Sequence, residues 1–243
     1  MVFRLSSDGK LKVLHNFDGA NGAYPIGPLV QGNDGNFYGT TSGGGSSSAG
    51  IVFKMRPNGD FTVLHDINGD SDGYQPFAGL VWATDGNLYG VNSTGGSVNG
   101  GTIFRVSPEG IYSVLYDLDF STTGGSPLVT MLQHTNGTLY GDTYGGGNPK
   151  TECCGMFFGF GVGLKAFVSF LPFSGGVGKT VEFFGQHFKG AKSVSFNGTT
   201  ASFKVLSDTY LTATVPDSAT TGFVTVTTAK GKLKSNKKFI VIQ

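Results

Sequence analysis

A module of about fifty residues is written three times in this sequence, and this repetition constrains the fold more than any other feature. Each copy has, in the same order, a V-F-R-L-like segment, a V-L-H-like segment, a D-G-N-F-Y-G-like segment and a run of glycines. The aromatic residues that mark the register are Phe3, Phe53 and Phe104 in the first segment, and Tyr38, Tyr89 and Tyr140 in the third. A period of this length indicates a repeat architecture.

The composition favours short strands joined by tight turns. The chain of 243 residues contains 41 glycines, many of them beside Asp or Asn, and only 14% charged residues. Glycine in that setting supplies the backbone conformations that turns need. No segment combines an apolar pattern of helical period with capping residues. We therefore predict an all-β protein.

Each copy divides into four short strands, which we name A to D in the order L-V, N-F-Y-G-T, V-F-K-M and V-L-H-D-I. Asp34-Gly35, Asp85-Gly86 and Asn136-Gly137 join strands A and B, and similar pairs join strands C and D. Such pairs predict type I′ hairpins, in which both central residues have a positive φ. Two hairpins per copy predict a four-stranded antiparallel sheet, with B–C and D–A connections that vary between copies.

Four strands in about fifty residues, with variable loops at the ends, are typical of a β-propeller blade. We predict a propeller-like region over residues 1–170, with a half blade at 2–17 and blades at 28–67, 79–118 and 127–170. Propellers close with about four to eight blades, so about three and a half cannot close. We therefore expect a fragment of a longer propeller, or an open arc whose edge at 2–17 pairs with missing blades or with another chain.

Residues 171–243 have a different pattern, with seven short alternating strands and turns every eight to twelve residues. This pattern predicts an immunoglobulin-like β-sandwich after the partial β-propeller. The charge also changes, because residues 1–170 carry 8 Lys and Arg against 13 Asp and Glu, whereas residues 171–243 carry 9 Lys against 3 acids. The lysines are spread along strands, so we expect no nucleic-acid partner.

Both regions resemble known families. The segments V-E-F-F-G-Q-H-F, V-S-F-N-G-T-T-A-S-F and L-T-A-T-V-P resemble the IPT/TIG family of immunoglobulin-like domains, and D-G-N-F-Y-G-T-T-S-G-G-G resembles the GloVer tandem repeat of bacterial surface proteins. The resemblance implies a secreted or cell-surface protein in which repeats precede an IPT/TIG module. It assigns no catalytic residue and no cofactor to either region.

Few residues suggest binding chemistry. Asn68, Asp70 and Asp72 place oxygen atoms on alternate residues, as a calcium loop does, but Gly79 stands where the bidentate acid would be, so a solvated loop is the better interpretation. The adjacent Cys153 and Cys154 are interpreted as small buried residues that do not bond each other. No apolar run is long enough to span a bilayer.

The repeated tyrosines could stack on flat ligands, but their fixed register favours packing between blades. We expect a non-enzymatic extracellular or cell-surface protein whose loops bind a carbohydrate or a surface protein, with the sandwich as spacer or adhesion module. One alternative is a polysaccharide-active enzyme, or its carbohydrate-binding accessory module. Such an enzyme would need repeated acids at the inner strand A ends, where Gln31, Trp82 and Thr130 stand. The other alternative is a purely structural array.

Overall fold

The computed structural model describes residues 1–147 and 154–242. In these residues the chain is almost entirely β, and it divides into two compact units. Unit 1 comprises Met1–Leu132 and Leu139–Phe160, and unit 2 comprises Gln133–Thr138 and Gly161–Gln243. The all-β prediction is therefore confirmed.

Unit 1 consists of short strands that pair only with their neighbours in sequence. Its strands are β1 (Val2–Leu5), β2 (Leu11–His15), β3 (Val30–Gln31), β4 (Phe37–Thr41), β5 (Ile51–Met55), β6 (Phe61–Asp66), β7 (Val81–Trp82), β8 (Leu88–Asn92), β9 (Thr102–Val106), β10 (Tyr112–Asp117), β11 (Leu132–Gln133, which reaches into unit 2), β12 (Leu139–Asp142) and β13 (Phe157–Phe160), with a one-turn helix α1 (Gly69–Asp72). They form sheets β1-β2, β3-β4-β5-β6, β7-β8-β9-β10 and β11-β12-β13.

The two middle sheets have the predicted A-B-C-D order and are antiparallel throughout. Their registers are equivalent, since Phe53 lies opposite Gly39 in the first and Phe104 lies opposite Gly90 in the second. The register shift in the C–D pairing also recurs. It falls between Val52 and Phe53 in the second sheet and between Val2 and Phe3 in the first. Copies with similar sequences therefore pair their strands in the same register.

The hairpin turns differ from the prediction in type. The amide of Gly35 donates to the carbonyl of Gly32 (3.0 Å), and Gly35 has a φ of 82° whereas Asp34 is not left-handed. The connection is thus a longer turn that ends in a left-handed glycine, as in the common three-residue hairpin loops. The predicted type I′ turn is wrong because one left-handed residue, not two, closes the hairpin.

The third copy departs from its predicted boundaries of 127–170. Its strand A is β11, whereas the segment P-L-V at 127–129 precedes the sheet, because the strand begins a fixed distance before the Asn136 turn. Met131 packs under Gly141, as Leu29 packs under Gly39. The sheet also has three strands rather than four, because the expected strand D belongs to unit 2.

Aromatic rings over glycines hold strands B and C together. A Cβ added at Gly90 would lie 2.4 Å from the ring of Phe104, and one at Gly39 would lie 2.6 Å from the ring of Phe53. Only a residue without a side chain leaves room for these rings. The phenylalanines are thereby buried, at 1% exposure for Phe53 and 0% for Phe104.

The hydrophobic clusters of unit 1 each join two neighbouring sheets. One cluster combines Tyr38 and Val52 of the second sheet with Leu80, Leu88 and Phe104 of the third. Another combines Val2 of the first sheet with Ile51, Phe53 and Met55 of the second. A single sheet cannot bury its own apolar face, so each one depends on the next.

Unit 2 contains two sheets that share one core. Its strands are β14 (Ser169–Leu171), β15 (Ser174–Gly175), β16 (Thr180–Phe184), β17 (Ser193–Phe196), β18 (Thr199–Ala201), β19 (Phe203–Val205), β20 (Tyr210–Thr214), β21 (Gly222–Thr228) and β22 (Gly231–Val241), with a 3-10 helix at Phe188–Gly190. The sheets have the orders β14-β16-β20-β19 and β15-β22-β21-β17-β18.

Alternate residues of these strands point into the core, among them Phe170, Phe183, Phe196 and Phe239. The predicted strands at 231–235 and 238–242 form one strand, β22, which is irregular where the hydroxyl of Ser235 accepts the amide of Val224 (3.0 Å). The count of seven strands was too low, because β15 and β18 were missed and β14 was assigned to the last blade. β15 and β18 are two and three residues long, too short for an alternating pattern.

We predict that Gly90→Val destabilises unit 1 by about 1 to 3 kcal/mol, because the new side chain would overlap the ring of Phe104. The measurement is urea unfolding followed by the fluorescence of Trp82, the single tryptophan of the chain. Gly161→Val is the matched control, since a Cβ there meets no atom within 4 Å. Equal midpoints for the two variants would contradict the packing described here.

Candidate functional site

The B–C and D–A connections of unit 1 lie at the same end of the sheets, which we call the loop face. It comprises residues 18–28, 42–50, 67–79, 93–101, 118–127 and 143–147. Isolated bridges tie each D–A connection to the next B–C loop, through Ala23 and Gly43, Tyr74 and Thr94, and Gly125 and Gly145. The hairpin turns lie at the opposite end.

The B–C loops are fixed by a carboxylate at the end of strand D. The carboxylate of Asp66 accepts a hydrogen bond from the backbone amide of Ser46 (2.9 Å), and that of Asp117 accepts one from the backbone amide of Ser97 (2.8 Å). The glycine before each serine is left-handed, and a Cβ at Gly45 would lie 2.3 Å from the Asp66 carboxylate. These loops are therefore held in one conformation although their sequences differ.

The D–A connections contain a repeated left-handed residue that is not glycine. Tyr24, Gln75 and Ser126 have φ values of 55°, 59° and 53°, and each precedes a proline. This conformation costs an ordinary residue about 1 to 2 kcal/mol. The chain therefore keeps a strained backbone at the same register of every copy, and a different side chain at each.

Four exposed aromatic side chains lie on the loop face. Tyr24 is 73% exposed and Tyr144 is 78% exposed, while Tyr74 and Phe120 are each more than a third exposed. None of these four belongs to a repeated strand motif. Sequence reasoning missed them because they occupy variable loops, where no period marks them.

Tyr38 and Tyr89, two of the repeated tyrosines of strand B, are structural, as their fixed register predicted. Tyr38 and Tyr89 are 0% and 2% exposed, and Tyr38 packs against Trp82 of the next sheet, with ring centroids 5.4 Å apart. Their hydroxyls donate to Asp34 (2.7 Å) and Asp85 (2.9 Å) of the A–B turns. Burial and the neighbouring carboxylate raise the pKa of both tyrosines. Neither ring is available to a ligand.

The histidines of strand D stack on the next sheet. His15 lies over Phe61 and His65 over Tyr112, with centroids 3.7 and 3.8 Å apart and nearly parallel planes. Tyr116 occupies the equivalent position in the third copy, so a ring recurs at this point of strand D.

The residues of the possible calcium loop are engaged with protein groups. The side chain of Asn68 accepts the amide of Asp70 and caps α1, and the hydroxyl of Tyr74 donates to Asp70. Asp72 is buried and lies 2.7 Å from His65 Nε2. Across residues 1–147 and 154–242 no group of three or more His, Cys, Asp and Glu side chains is arranged to hold a metal.

Cys154 is exposed and disulfide-bonded, so the interpretation as a buried, unbonded residue is wrong for it. It lies in the third B–C connection with a φ of 89°. The only other cysteine in the sequence, Cys153, lies outside the described residues.

A cavity of about 480 Å³ opens beside Tyr144 at the last sheet of unit 1. Its described lining includes the carboxylate of Asp142, the hydroxyl of Thr143 and the ring of Phe157, which is 72% exposed. The positions equivalent to Phe157 are Val52 and Ile103, which the neighbouring sheets bury. The cavity is large enough for a small ligand.

Strand A carries no acid in any copy. Its second residue is Gln31, Trp82 or Gln133 in the three copies. In the third copy Gln133 takes the position that was predicted for Thr130, because strand A of that copy is β11. The hydroxyl of Thr130 instead accepts a hydrogen bond from the backbone amide of Gly79 (2.8 Å). This bond links neighbouring copies.

The sheets, their equivalent registers and their shared clusters define a tandem-repeat β protein. A family profile described as the Gloeobacter/Verrucomicrobia repeat matches residues 1–208, and the chain belongs to this family. The match covers unit 1 and continues into unit 2. No curated protein matches the sequence.

Two solved structures show a distant likeness. One is a fungal alcohol oxidase of the AA5 family in complex with copper, with 14% identity and a TM-score of 0.40, covering 90% of this chain but only 55% of the oxidase. The other is a putative gluconolactonase, with 14% identity and a TM-score of 0.39, covering 96% of this chain and 79% of that protein. Likenesses at this level assign no activity to the chain.

We predict that Tyr38→Phe lowers stability at neutral pH by about 1 to 3 kcal/mol, since it removes a hydrogen bond to a carboxylate. Burial works against the charge of Asp34, but bonds from Tyr38 and Asn36 and the charge of Lys54 hold its pKa below the ordinary 3.8. That stabilisation is present above the ordinary pKa and is lost as pH falls through the folded-state value.

The variant should therefore lose less stability than the wild type between neutral pH and pH 3, as measured by urea midpoints. Tyr140→Phe is the matched control, because Asn136 replaces the carboxylate there and its effect should not change with pH. A pH profile for Tyr38→Phe that runs parallel to the wild type would contradict this account.

Proposed function

We propose that this chain is a non-enzymatic extracellular or cell-surface protein that binds carbohydrate on the loop face of a partial β-propeller. The observation that carries the proposal is the set of exposed aromatic rings on the loop face, Tyr24, Tyr74, Phe120 and Tyr144. Exposed aromatic surface costs free energy in water and is typical of binding sites. Sugar rings offer flat apolar faces on which tyrosine and phenylalanine can stack.

Isolated bridges hold the D–A connections that carry Tyr24, Tyr74 and Phe120 against the next B–C loops, so a ligand would bind there with little loss of loop entropy. The same face offers polar partners, including the exposed side chains of Ser46, Ser97 and Asn99. Rigid frames with variable loops at one end suit recognition.

The cavity beside Tyr144 is the preferred position for one sugar ring. Tyr144 and Phe157 supply exposed aromatic surface, and Asp142 supplies an acceptor for sugar hydroxyls. A surface protein ligand is the alternative occupant of the loop face.

The propeller assignment rests on the shape of the sheets. Two of them are four-stranded and antiparallel, and each packs face to face on the next. With a two-stranded sheet before them and a three-stranded sheet after them, we infer an open arc of blades. For unit 2, two sheets around one core support an immunoglobulin-like module of the IPT/TIG type, acting as spacer or adhesion module.

The test is a glycan array probed with the full chain and with three alanine variants. Tyr24→Ala and Tyr144→Ala should weaken binding by about tenfold or more, since each removes a stacking ring. Ile111→Ala is the matched control, because Ile111 is 69% exposed but lies in a C–D turn at the opposite end. Bound glycans are then incubated with the protein and analysed for cleavage.

Specific binding that both tyrosine variants weaken, without cleavage, supports the proposal. Cleavage of the bound glycan would favour a polysaccharide-active enzyme. A chain that binds no glycan on the array, or whose control variant is weakened equally, would contradict carbohydrate binding on the loop face.

We also predict that Tyr24→Gly raises stability by about 1 kcal/mol while it weakens binding, because glycine adopts the φ of 55° without strain. Thermal unfolding and the array measure the two effects separately. A destabilised variant would show that Tyr24 serves the fold rather than a ligand.

A further inference from the structure

Strand β1 has one edge that no strand covers among residues 1–147 and 154–242. It is a C strand by sequence, and it pairs only with the D strand β2. The other C strands, β5, β9 and β13, each pair on the second edge with a B strand. The first sheet therefore has the C and D strands of the repeat without its A–B hairpin.

The exposure of Phe3 shows that the uncovered edge lacks a strand partner. It occupies the position of Phe53 and Phe104, which lie over the glycines of their B strands and are at most 1% exposed. Phe3 is 54% exposed. A strand with glycine opposite Phe3 would bury this ring as the equivalent rings are buried.

The charge at this edge also fits an A–B hairpin of the repeat as its partner. Lys54 lies opposite Tyr38, and its ammonium is 3.8 Å from Asp34 of the A–B turn. Arg105 takes this position opposite Tyr89 in the next sheet. Arg4 takes it in β1 and is exposed. An A–B hairpin with the sequence D-G-N-F-Y-G would bring its carboxylate to Arg4.

A cavity lies beside the uncovered edge of β1. It has a volume of about 390 Å³ and is lined by Phe3 of β1 and by Pro28 and Leu29 of the next sheet, among others. Leu29 is 41% exposed, whereas its equivalent Leu80 is 3% exposed because the preceding sheet is complete. In that complete interface the hydroxyl of Thr40 donates to the carbonyl of Ala78 (2.9 Å).

We propose that the free edge of β1 binds an A–B hairpin with the repeat's own sequence, in the register that places its glycine opposite Phe3. The register follows from the three sheets that contain a B strand. In each of them the strand B tyrosine, which precedes the glycine, lies opposite the strand C residue that follows the phenylalanine. Strand addition supplies backbone hydrogen bonds, and the aromatic ring over glycine supplies selectivity. The proposal rests on strand pairing alone and does not depend on carbohydrate binding by the loop face.

The experiment supplies the hairpin within the chain. A copy of residues 28–50 is fused before Met1, so that Met1 takes the position of Ile51 and the B–C loop keeps its natural length. Amide hydrogen exchange at residues 2–5 is compared between the fused and the original chain. Exchange should slow by about tenfold or more, because the amides of β1 gain strand partners.

The matched control is the same fusion with Gly39→Val in the added copy. The valine side chain would overlap Phe3, as a Cβ at Gly39 overlaps Phe53. Slower exchange in the glycine fusion but not in the valine fusion supports the proposal. Unchanged exchange in both, or equal slowing in both, overturns it.

A peptide of residues 28–41 tests the same contact without a fusion, should the fused chain fail to fold. Fluorescence anisotropy should show about tenfold tighter binding of this peptide to the original chain than of its Gly39→Val counterpart. Equal affinities, or no binding of either peptide, overturn the proposal. Concentration-dependent protection of β1 in the original chain alone would also overturn it, since a second copy of the chain would then be the occupant.

Discussion

The structure of unit 1 depends on contacts between consecutive sheets. Each sheet has an apolar face that its own strands cannot cover, and the clusters around Tyr38 and around Phe53 draw side chains from two neighbouring sheets. Within a sheet, a phenylalanine lies over a glycine that has no room for a side chain. Because every copy meets its neighbours in the same way, the same residues recur at the same spacing.

Two kinds of surface follow from this arrangement. The strands and hairpin turns must fit their neighbours, so their residues repeat and are largely buried. The loop face has fewer such constraints, because Asp66 and Asp117 anchor two B–C loops through the backbone of Ser46 and Ser97, and isolated backbone bridges tie the D–A connections to the B–C loops. Side chains there can change without cost to the sheets, and the exposed Tyr24 and Tyr144 are outcomes of that freedom.

Much of the fold could be predicted from the sequence, because the repeat shows three times which residues belong together. Strands B and C lie where the Y-G and V-F motifs place them, and the packing role of Tyr38 followed from its register. Strand A of the third copy was misplaced because Pro127-Leu128-Val129 imitates Pro28-Leu29-Val30, while the distance to the turn decides the pairing. The loss of its strand D was hidden because Phe170 fits the core of unit 2 equally well by sequence.

The candidate site was much less predictable. The exposed aromatic rings of the loop face lie outside every repeated motif, and their exposure depends on how the D–A and B–C connections meet. Such features arise from tertiary contacts that a periodic pattern does not encode.

The central claim is that each sheet of unit 1 owes its stability to the sheets packed against its faces. Hydrogen exchange of the original chain, followed strand by strand, tests this most directly. Amides of β5 and β9, in sheets flanked on both sides, should exchange at least about tenfold more slowly than those of β1 and β2, whose sheet has a described neighbour on one side only. Equal protection of all four strands would contradict the account, since each sheet would then be stable without its neighbours.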